Sequence, residues 1–394
     1  MKKVLNICIF ILGFLVIDAS FIHNNLIKTI NITDKEIRFI YISYLEYLSN
    51  FQGNSITINK AKINKMIDNI VFYNFNTIIL HVSPFSDAIY NSQIFPYSST
   101  LTGEEGKNPG FDYLEYFIKI AHQKNIKVHA WINPYRISSQ KKIETLSNKN
   151  PSNKFLNTEH ISITDKGIYY DPTSELVKDL ILNQVRELIK NYSIDGIHFD
   201  DYFYIDYNID NFEYQKYIEN GGNLSLKEYR LMHTNDLIKR VGMIIKNMNK
   251  NIIFSIAPDG NINNNYQYHY ADVKTWIKEE YIDIIMPQIY YGFDNQYLPF
   301  EKAYNYWYQI INDNQSKVKI IPTLAFYKVG LIDEGAGMGK NEWLKDGIIE
   351  RQIIYLKTKD EYNGFGLFRY DFLFNDKLSN DVIKEELVNI QKIK

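Results

Sequence analysis

The sequence of 394 residues contains very little cysteine and no marked excess of charge. Its one cysteine, Cys8, lies within the first apolar run, so the rest of the chain has no disulfide, thiol nucleophile or thiolate metal site. The formal net charge is −2, which argues against a nucleic-acid-binding protein because these normally carry a basic excess. The patterns G-x-S-x-G and H-E-x-x-H are also absent, which disfavours serine-nucleophile and zinc hydrolysis.

Aromatic residues are plentiful, at 15%, and tyrosine is the commonest of them with 32 copies. Tyr and Trp suit sugar binding because a flat apolar ring packs on sugar C–H groups while the polar tip forms hydrogen bonds. An AT-rich genome is a second explanation, since it enriches Tyr, Asn, Ile and Lys together. The composition alone leaves both explanations open.

The N-terminus has the pattern of a secretory signal. Lys2 and Lys3 precede a largely apolar run over residues 4–17, whereas a membrane-spanning helix usually needs about 20 apolar residues. No small-x-small cleavage site is visible, so an uncleaved membrane anchor is the alternative. We expect residues 1–20 to be a signal peptide or anchor and residues 21–36 a linker, and we expect an extracellular or envelope-associated protein.

Eight runs of β-branched and aromatic residues recur along the rest of the chain, mostly separated by amphipathic helical stretches. They begin at Ile37, Thr77, Lys127, Gly196, Ile252, Asp283, Lys319 and Gly364. Strands that alternate with helices pair in parallel through right-handed crossovers, and eight such units favour closure. We therefore predict an α/β fold, a (β/α)8 TIM barrel that forms a single large domain over residues 37–394.

Polar residues end nearly every one of these runs. Active sites of parallel barrels lie where the strands end, which we call the carboxyl-end face. Long loops over residues 84–112 and 136–173 follow the second and third strands, and a glycine-rich segment, 331–341, follows the seventh. Long loops in compact domains are usually functional or disordered, so we place these loops around the site and interpret 331–341 as a lid or rim.

The segment IDGIHFDDYFY ends in two adjacent acids, Asp200 and Asp201. Strand alternation puts His198 and Asp200 on one side and Phe199 and Asp201 on the other, but the bend into the loop lets both carboxylates reach the cavity mouth. Two acids in an apolar setting repel each other, so one keeps its proton to a higher pH and supplies an acid beside a base. We predict that Asp200 and Asp201 are catalytic; a paired acidic turn or a helix cap is the structural alternative.

Residues near the other strand ends are candidate substrate ligands. Trp131, with Asn133 and Arg136 close in sequence, offers a sugar platform, although Trp is often simply buried. Gln288 and Tyr290 share one face of the sixth strand, and a satisfied core amide is the alternative for Gln288. The predicted substrate-binding residues are His81, Asp87, Trp131, Asn133, Arg136, His198, Tyr202, Asp259, Gln288, Tyr290, Arg369 and Asp371.

Long motifs of this chain resemble the glycoside hydrolase family 10-like proteins, formerly a domain of unknown function, over residues 37–375. They include FNTIILHVSPFSDAIYNSQIFPYSSTLTGEEGKNPGFDYL, AHQKNIKVHAWINPYR, YSIDGIHFDDYFY and YIDIIMPQIYYGF. The resemblance implies an exported or envelope-associated bacterial protein. Some members act on peptidoglycan glycan strands stripped of their peptides, which implies a polymer of N-acetylglucosamine and N-acetylmuramic acid.

A more distant likeness is to chitinase-type barrels, whose fourth strand carries D-G-x-D-x-D-x-E. Aligned on Asp195, this chain has His198 at the first inner acid, Asp200 at the second and Tyr202 in place of the glutamate that donates the proton. The proton must then come from another group, and Asp201 is the nearest candidate.

These observations predict an exported glycosidase with a polysaccharide substrate, no cofactor, no metal and no nucleic acid. We expect a monomer with a possible membrane tether through the N-terminus. In the hypothesis, Asp201 protonates the leaving oxygen, while Asp200 stabilises the positive charge or, with Tyr290, orients an acetamido nucleophile. The alternatives are a non-catalytic wall-binding module and a metal-dependent deacetylase or phosphodiester hydrolase on the same barrel.

Overall fold

The computed structural model of this chain describes residues 36–201, 203–375 and 377–393. The predicted signal peptide or anchor (residues 1–20), all but the last residue of the linker and the candidate ligand Tyr202 lie outside the described residues. Residues 37–393 form one compact unit. Within the described residues, no helix combines the length and apolar character needed to cross a membrane.

The described residues contain one long parallel sheet and one small antiparallel sheet. In chain order the strands are β1 (Ile37–Ile42), β2 (Thr77–Ser83), β3 (Lys127–Ile132), β4 (Arg136–Ser138), β5 (Ile161–Thr164), β6 (Gly167–Tyr170), β7 (Gly196–Phe199), β8 (Ile253–Ile256), β9 (Ile284–Ile285), β10 (Gln288–Ile289), β11 (Lys319–Ile320), β12 (Thr323–Leu324) and β13 (Gly364–Leu367). All eight predicted runs contain strand, and the predicted (β/α)8 fold is confirmed.

The long sheet closes on itself. Parallel pairs run from β1 through β2, β3, β7 and β8 to β9 and β11, and then from β10 through β12 and β13 back to β1. The closing pair matches Ile37 with Gly364. Gly364 has φ +138°, and a Cβ there would collide with the carbonyl oxygen of Ile37. Only glycine therefore fits this closure without strain.

Prolines divide the sixth and seventh strands of the barrel. Pro287 separates β9 from β10, and Pro322 separates β11 from β12. Proline has no backbone N–H to give to the ladder, so strand assignment breaks there. Both proline carbonyls still accept, from Thr323 N and Gly366 N, each at 2.9 Å, so the two halves of each strand keep their neighbours.

Alternation along the strands separates two cores. Side chains such as Phe39, Tyr41 and Met286 fill the barrel interior. Residues one position away, such as Ile40 and Ile42, pack outward against the helices. The helices are α1 (Tyr44–Asn50), α2 (Ile56–Phe72), α3 (Ser99–Thr102), α4 (Tyr113–Gln123), α5 (Glu175–Asn191), α6 (Asn211–Glu219), α7 (Leu226–Met248), α8 (Ile262–Gln267), α9 (Val273–Lys278), α10 (Phe300–Asn314), α11 (Ile348–Lys357), α12 (Tyr370–Phe374) and α13 (Asp381–Lys392).

Helix α1 begins directly after β1, where the sequence pattern continued the strand. Ser43 is its N-cap, and a capping box joins Ser43 to Glu46. Two local bonds of this kind satisfy backbone donors that a helix start leaves open. The chain therefore turns into a helix at Tyr44, which brings residues 43–45 to the carboxyl-end face.

The long loop after β3 carries its own structure. Strands β4, β6 and β5 form an antiparallel sheet in the order β4-β6-β5, and Arg136 lies opposite Tyr169. This sheet fixes the backbone of Arg136 beside the barrel mouth.

Candidate active site

A cavity of about 280 Å³ opens on the carboxyl-end face of the barrel. Aromatic rings and two carboxylates dominate its lining, which is the mixture expected of a sugar-binding site. The residues that line it are Tyr41, Ser43, Tyr44, Leu45, His81, Trp131, Asn133, Arg136, Asp200, Asp201, Ala257, Gln288, Tyr290 and Phe368.

The end of β7 delivers both aspartates to this cavity. Phe199, the last residue of β7, is fully buried in the outer core, whereas His198 points into the barrel. The chain leaves the strand after Phe199, and both Asp200 and Asp201 line the cavity. At the other end of the strand, Asp195 accepts from Val128 N at 2.8 Å and contacts His122, so its carboxylate supports the barrel far from the cavity.

Asp200 is almost completely buried, with 5% of its surface exposed. Trp131 donates from its indole nitrogen to Asp200 Oδ2 at 3.2 Å and to Asn133 Oδ1 at 3.0 Å. A donor of this kind favours the ionised form of a carboxylate. Asp200 is therefore oriented by the neighbouring strand and is suited to stabilise positive charge.

Asp201 has a different environment. Burial raises the pKa of Asp201 above its ordinary value, and the negative charge of Asp259 adds to this effect. The charge of His269 and a hydrogen bond from Gln288 act in the opposite direction, and the pKa remains raised. Because the pKa is raised, Asp201 keeps its proton to higher pH than an ordinary aspartate, which is what a general acid requires.

His81 and Trp131 form a stacked pair in the cavity wall. Their ring centroids lie 3.6 Å apart at an interplanar angle of 9°. Burial, reinforced by the charge of Arg136, lowers the pKa of His81 well below its usual range, so the imidazole is neutral. A neutral imidazole has one donor and one acceptor nitrogen, so His81 can bind a sugar hydroxyl or amide without adding charge.

A polar chain lies beneath the cavity floor. The Tyr41 hydroxyl lies 3.0 Å from Thr323 Oγ1 and 3.5 Å from His198 Nε2, and His198 Nδ1 lies 2.8 Å from Ser255 Oγ. His198 is completely buried and does not line the cavity. It therefore supports Tyr41 from below, one layer deeper than the predicted ligand position.

Four other predicted ligands lie outside the lining. Asp87 is buried in the loop after β2, where it accepts from Phe85 N at 3.2 Å, and burial raises its pKa to about 7. Asp259 accepts from Asn264 and Asn261 N, at 3.0 and 2.7 Å.

Arg369 and Asp371 join α12 to α1. Arg369 pairs with the buried Glu46, and Asp371 accepts from Ser49 Oγ at 2.6 Å and from Asn50 Nδ2 at 3.1 Å. Ser43, at the start of α1, lines the cavity and also donates to Glu46. The network therefore positions the cavity rim, although Arg369 and Asp371 do not line the cavity themselves.

Several lining residues escaped the sequence analysis: Tyr41, Ser43, Tyr44, Leu45, Ala257 and Phe368. Phe368 follows the last strand but is apolar, so a search for polar residues at strand ends did not select it. Tyr41 was missed because the first run of the sequence continues beyond it. Ser43, Tyr44 and Leu45 were hidden because the strand pattern concealed the start of α1.

An ion pair anchors the loop that follows the aspartates. Arg230 on α7 donates from Nε to Asp210 Oδ2 at 2.7 Å and from Nη2 to Asp210 Oδ1 at 2.6 Å, and both side chains are buried. Arg230 also donates to the Tyr270 hydroxyl at 2.8 Å. A bidentate pair of this geometry is rigid, so the loop from Asp201 to α6 is held at its far end.

Among the described residues, one group has the spacing to hold a metal ion. Ligand atoms of Glu159, His160 and Glu213 all lie within 4.8 Å of one another. These residues are outside the cavity lining, so an ion there would not touch a substrate in the cavity.

Comparisons with known proteins agree with this geometry. The family model described as glycosyl hydrolase-like 10 matches residues 36–336. Glycosyl hydrolase YngK of Bacillus subtilis (strain 168) is 28% identical over 396 residues, covering 94% of this chain and 75% of its own. Glycosyl hydrolase DigH of Escherichia coli (strain K12) is 30% identical over 353 residues, covering 83% and 79%. The resemblance drawn from the motifs is confirmed.

Solved structures share the fold at low sequence identity. The glycoside hydrolase domain of PgaB (BpsB) from Bordetella bronchiseptica superposes with a TM-score of 0.61 at 12% identity, covering 91% of this chain and 99% of that domain. The catalytic domain of β-amylase from Paenibacillus polymyxa gives 0.53 at 12% identity, covering 91% and 97%. This chain belongs to the glycosyl hydrolase-like 10 family, as a glycosidase built on a (β/α)8 barrel.

Proposed function

We propose that this glycosidase is exported and hydrolyses peptidoglycan glycan strands, the alternating polymer of N-acetylglucosamine and N-acetylmuramic acid. The single observation that carries the proposal is the aromatic cavity with Asp200 and Asp201 in its wall. The family resemblance supports the choice of polymer, and the basic and apolar N-terminus supports export with or without a retained tether.

Asp200 and Asp201 have different roles in the reaction. Asp201, whose pKa burial raises, donates its proton to the glycosidic oxygen as the C1–O bond breaks. Asp200 stabilises the oxocarbenium-like charge and orients the attacking group, either water or the acetamido oxygen of the sugar itself. Water supplies the new C1–O bond, either by direct attack or by opening the oxazolinium ion that the acetamido oxygen forms. The proton that this water releases replaces the one that Asp201 donated, and the sugar leaves with a new reducing end. Tyr41, Trp131 and Tyr290 line the cavity and contact the sugar ring through their aromatic rings and polar groups.

The substrate is tested with purified glycan strands from which the peptides have been removed. We expect the protein to release new reducing ends and products built of disaccharide repeats, measured by a reducing-sugar assay and mass spectrometry. Starch and mannan, incubated in parallel, should yield none. Release from starch or mannan but not from glycan strands would contradict the proposed polymer.

The pH profile tests the assignment of the acid. Catalysis needs neutral Asp201, so kcat/KM should fall as pH rises through the pKa of Asp201, at higher pH than for an ordinary aspartate. Gln288→Leu removes a hydrogen bond that favours the ionised form and adds apolar surface, so both effects raise this pKa. The alkaline limb should move to higher pH.

The control for this profile is Gln267→Leu, the same change on the exposed surface. It should leave both limbs in place. An alkaline limb that stays fixed or moves to lower pH in Gln288→Leu would mean that Asp201 is not the acid.

A further inference from the structure

Arg136 gives the cavity an unusual charge arrangement. Among the lining residues that the structure describes, it is the one side chain with a permanent positive charge, whereas Asp200 brings negative charge. A guanidinium forms its strongest hydrogen bonds with carboxylates. The candidate partners of Arg136 are therefore an aspartate of the site and an anionic group on the substrate.

Arg136 is held in place by its surroundings. It begins β4 opposite Tyr169, whose side chain forms a hydrogen bond with it. Its guanidinium lies over the Phe85 ring, 4.9 Å from the centroid, and its side chain is partly buried. A guanidinium packed on an aromatic ring and supported by a sheet loses little freedom when it binds a planar anion.

The negative charge of Asp200 determines what the Arg136 guanidinium contributes to substrate binding. Any anionic group that enters the cavity meets the negative field of Asp200, and at partly buried sites such repulsion is not fully screened. A fixed cation offsets that repulsion. Arg also presents paired N–H donors that match a carboxylate in two parallel hydrogen bonds, and these are stronger than bonds to neutral acceptors.

The proposed polymer carries one anionic group per repeat that fits this description. The lactyl ether of N-acetylmuramic acid ends in a carboxylate when the peptide is absent, but in a neutral amide when the peptide is attached. We infer that Arg136 binds this free lactyl carboxylate and so selects strands without peptides. The inference rests on the proposed function and adds the residue and chemical group that determine the choice of strand.

The experiment compares three oligosaccharides of equal length. The first is a glucosaminyl–muramyl oligomer with free lactyl carboxylates, the second is the same oligomer with each carboxyl converted to its N-methylamide, and the third is a chitin oligomer without lactyl groups. The N-methylamide removes the charge without adding the bulk of a peptide, so steric exclusion does not contribute. The measured quantity is kcat/KM for each.

For the wild-type protein, we expect kcat/KM to be about ten- to hundredfold higher for the free acid than for the amide, which is the effect of one charge-assisted contact. In Arg136→Gln this ratio should fall towards one. Arg136→Lys keeps the charge but loses the fork of donors, so its ratio should be intermediate. Thermal unfolding of each variant establishes that it is folded.

The outcomes separate the two roles of Arg136. Equal loss on all three oligosaccharides in Arg136→Gln would show that the guanidinium serves an aspartate, and would overturn the inference. Equal wild-type rates on the acid and the amide would also overturn it, while the proposed function would stand. Cleavage of chitin without cleavage of either muramyl oligomer would defeat the proposed function and the inference together.

Discussion

Asp201→Asn should lower turnover of glycan strands by about 10²–10⁴-fold while the barrel stays folded. Asparagine has nearly the same shape as the neutral aspartic acid that we assign at this position, so packing against Gln288 is kept. Its amide has no proton that it can give to the glycosidic oxygen. The loss should appear in kcat, because the proton moves only in the transition state. Reducing-end release measures it directly.

The leaving group provides the matched control for this variant. A dinitrophenyl glycoside of the same sugar departs without protonation, so the first step of its cleavage needs no general acid. Asp201→Asn should therefore release dinitrophenol at close to the wild-type rate in the first turnover. A defect of equal size on the aryl glycoside and on the glycan would exclude Asp201 as the acid.

Asp200→Asn should cost about a thousandfold on both substrates, which is the scale seen when one preorganised electrostatic group is removed from an active site. Positive charge develops on the sugar whatever the leaving group, and Trp131 holds the Asp200 carboxylate towards that charge. The amide has no negative charge to offer. Dinitrophenol release and reducing-end release should fall in parallel, in contrast to the selective defect of Asp201→Asn.

A surface aspartate serves as the control for Asp200→Asn. Asp313 is exposed on α10, so Asp313→Asn makes the same chemical change away from the cavity and should retain full activity. Near-normal turnover by both Asp200→Asn and Asp201→Asn would place the chemistry elsewhere. Thermal unfolding distinguishes an inactive folded variant from an unfolded one.

The sequence pattern was sufficient to predict the barrel, because strands that are buried on both faces appear in the sequence as continuous apolar runs. All eight runs begin within one residue of the strand they contain, and Gly196 and Gly364 begin theirs. Periodicity could not show that the first run ends at Ile42, because the Ser43 cap that starts α1 lies inside an apolar pattern. The small β4-β6-β5 sheet was also missed, since Gly, Ser and Asn in that loop resemble irregular structure.

The positions of polar residues at strand ends predicted which side chains line the cavity better than they predicted how deep in the barrel each side chain lies. His81, Trp131, Asn133 and Gln288 line it as placed. His198 lies one layer deeper than predicted, because its two ring nitrogens face Tyr41 and Ser255 inside the barrel. Asp371 points away into the α1–α12 network, and this direction depends on a helix start that periodicity does not reveal.

The closure of β1 on β13 determines when the enzyme can act. Tyr41 comes from the first strand of the ring and Phe368 follows the last, so the cavity exists only when these two strands are paired. A growing polypeptide carries both aspartates long before its final strand is available. Such a chain has no assembled cavity, so hydrolytic activity begins only once synthesis and folding are complete.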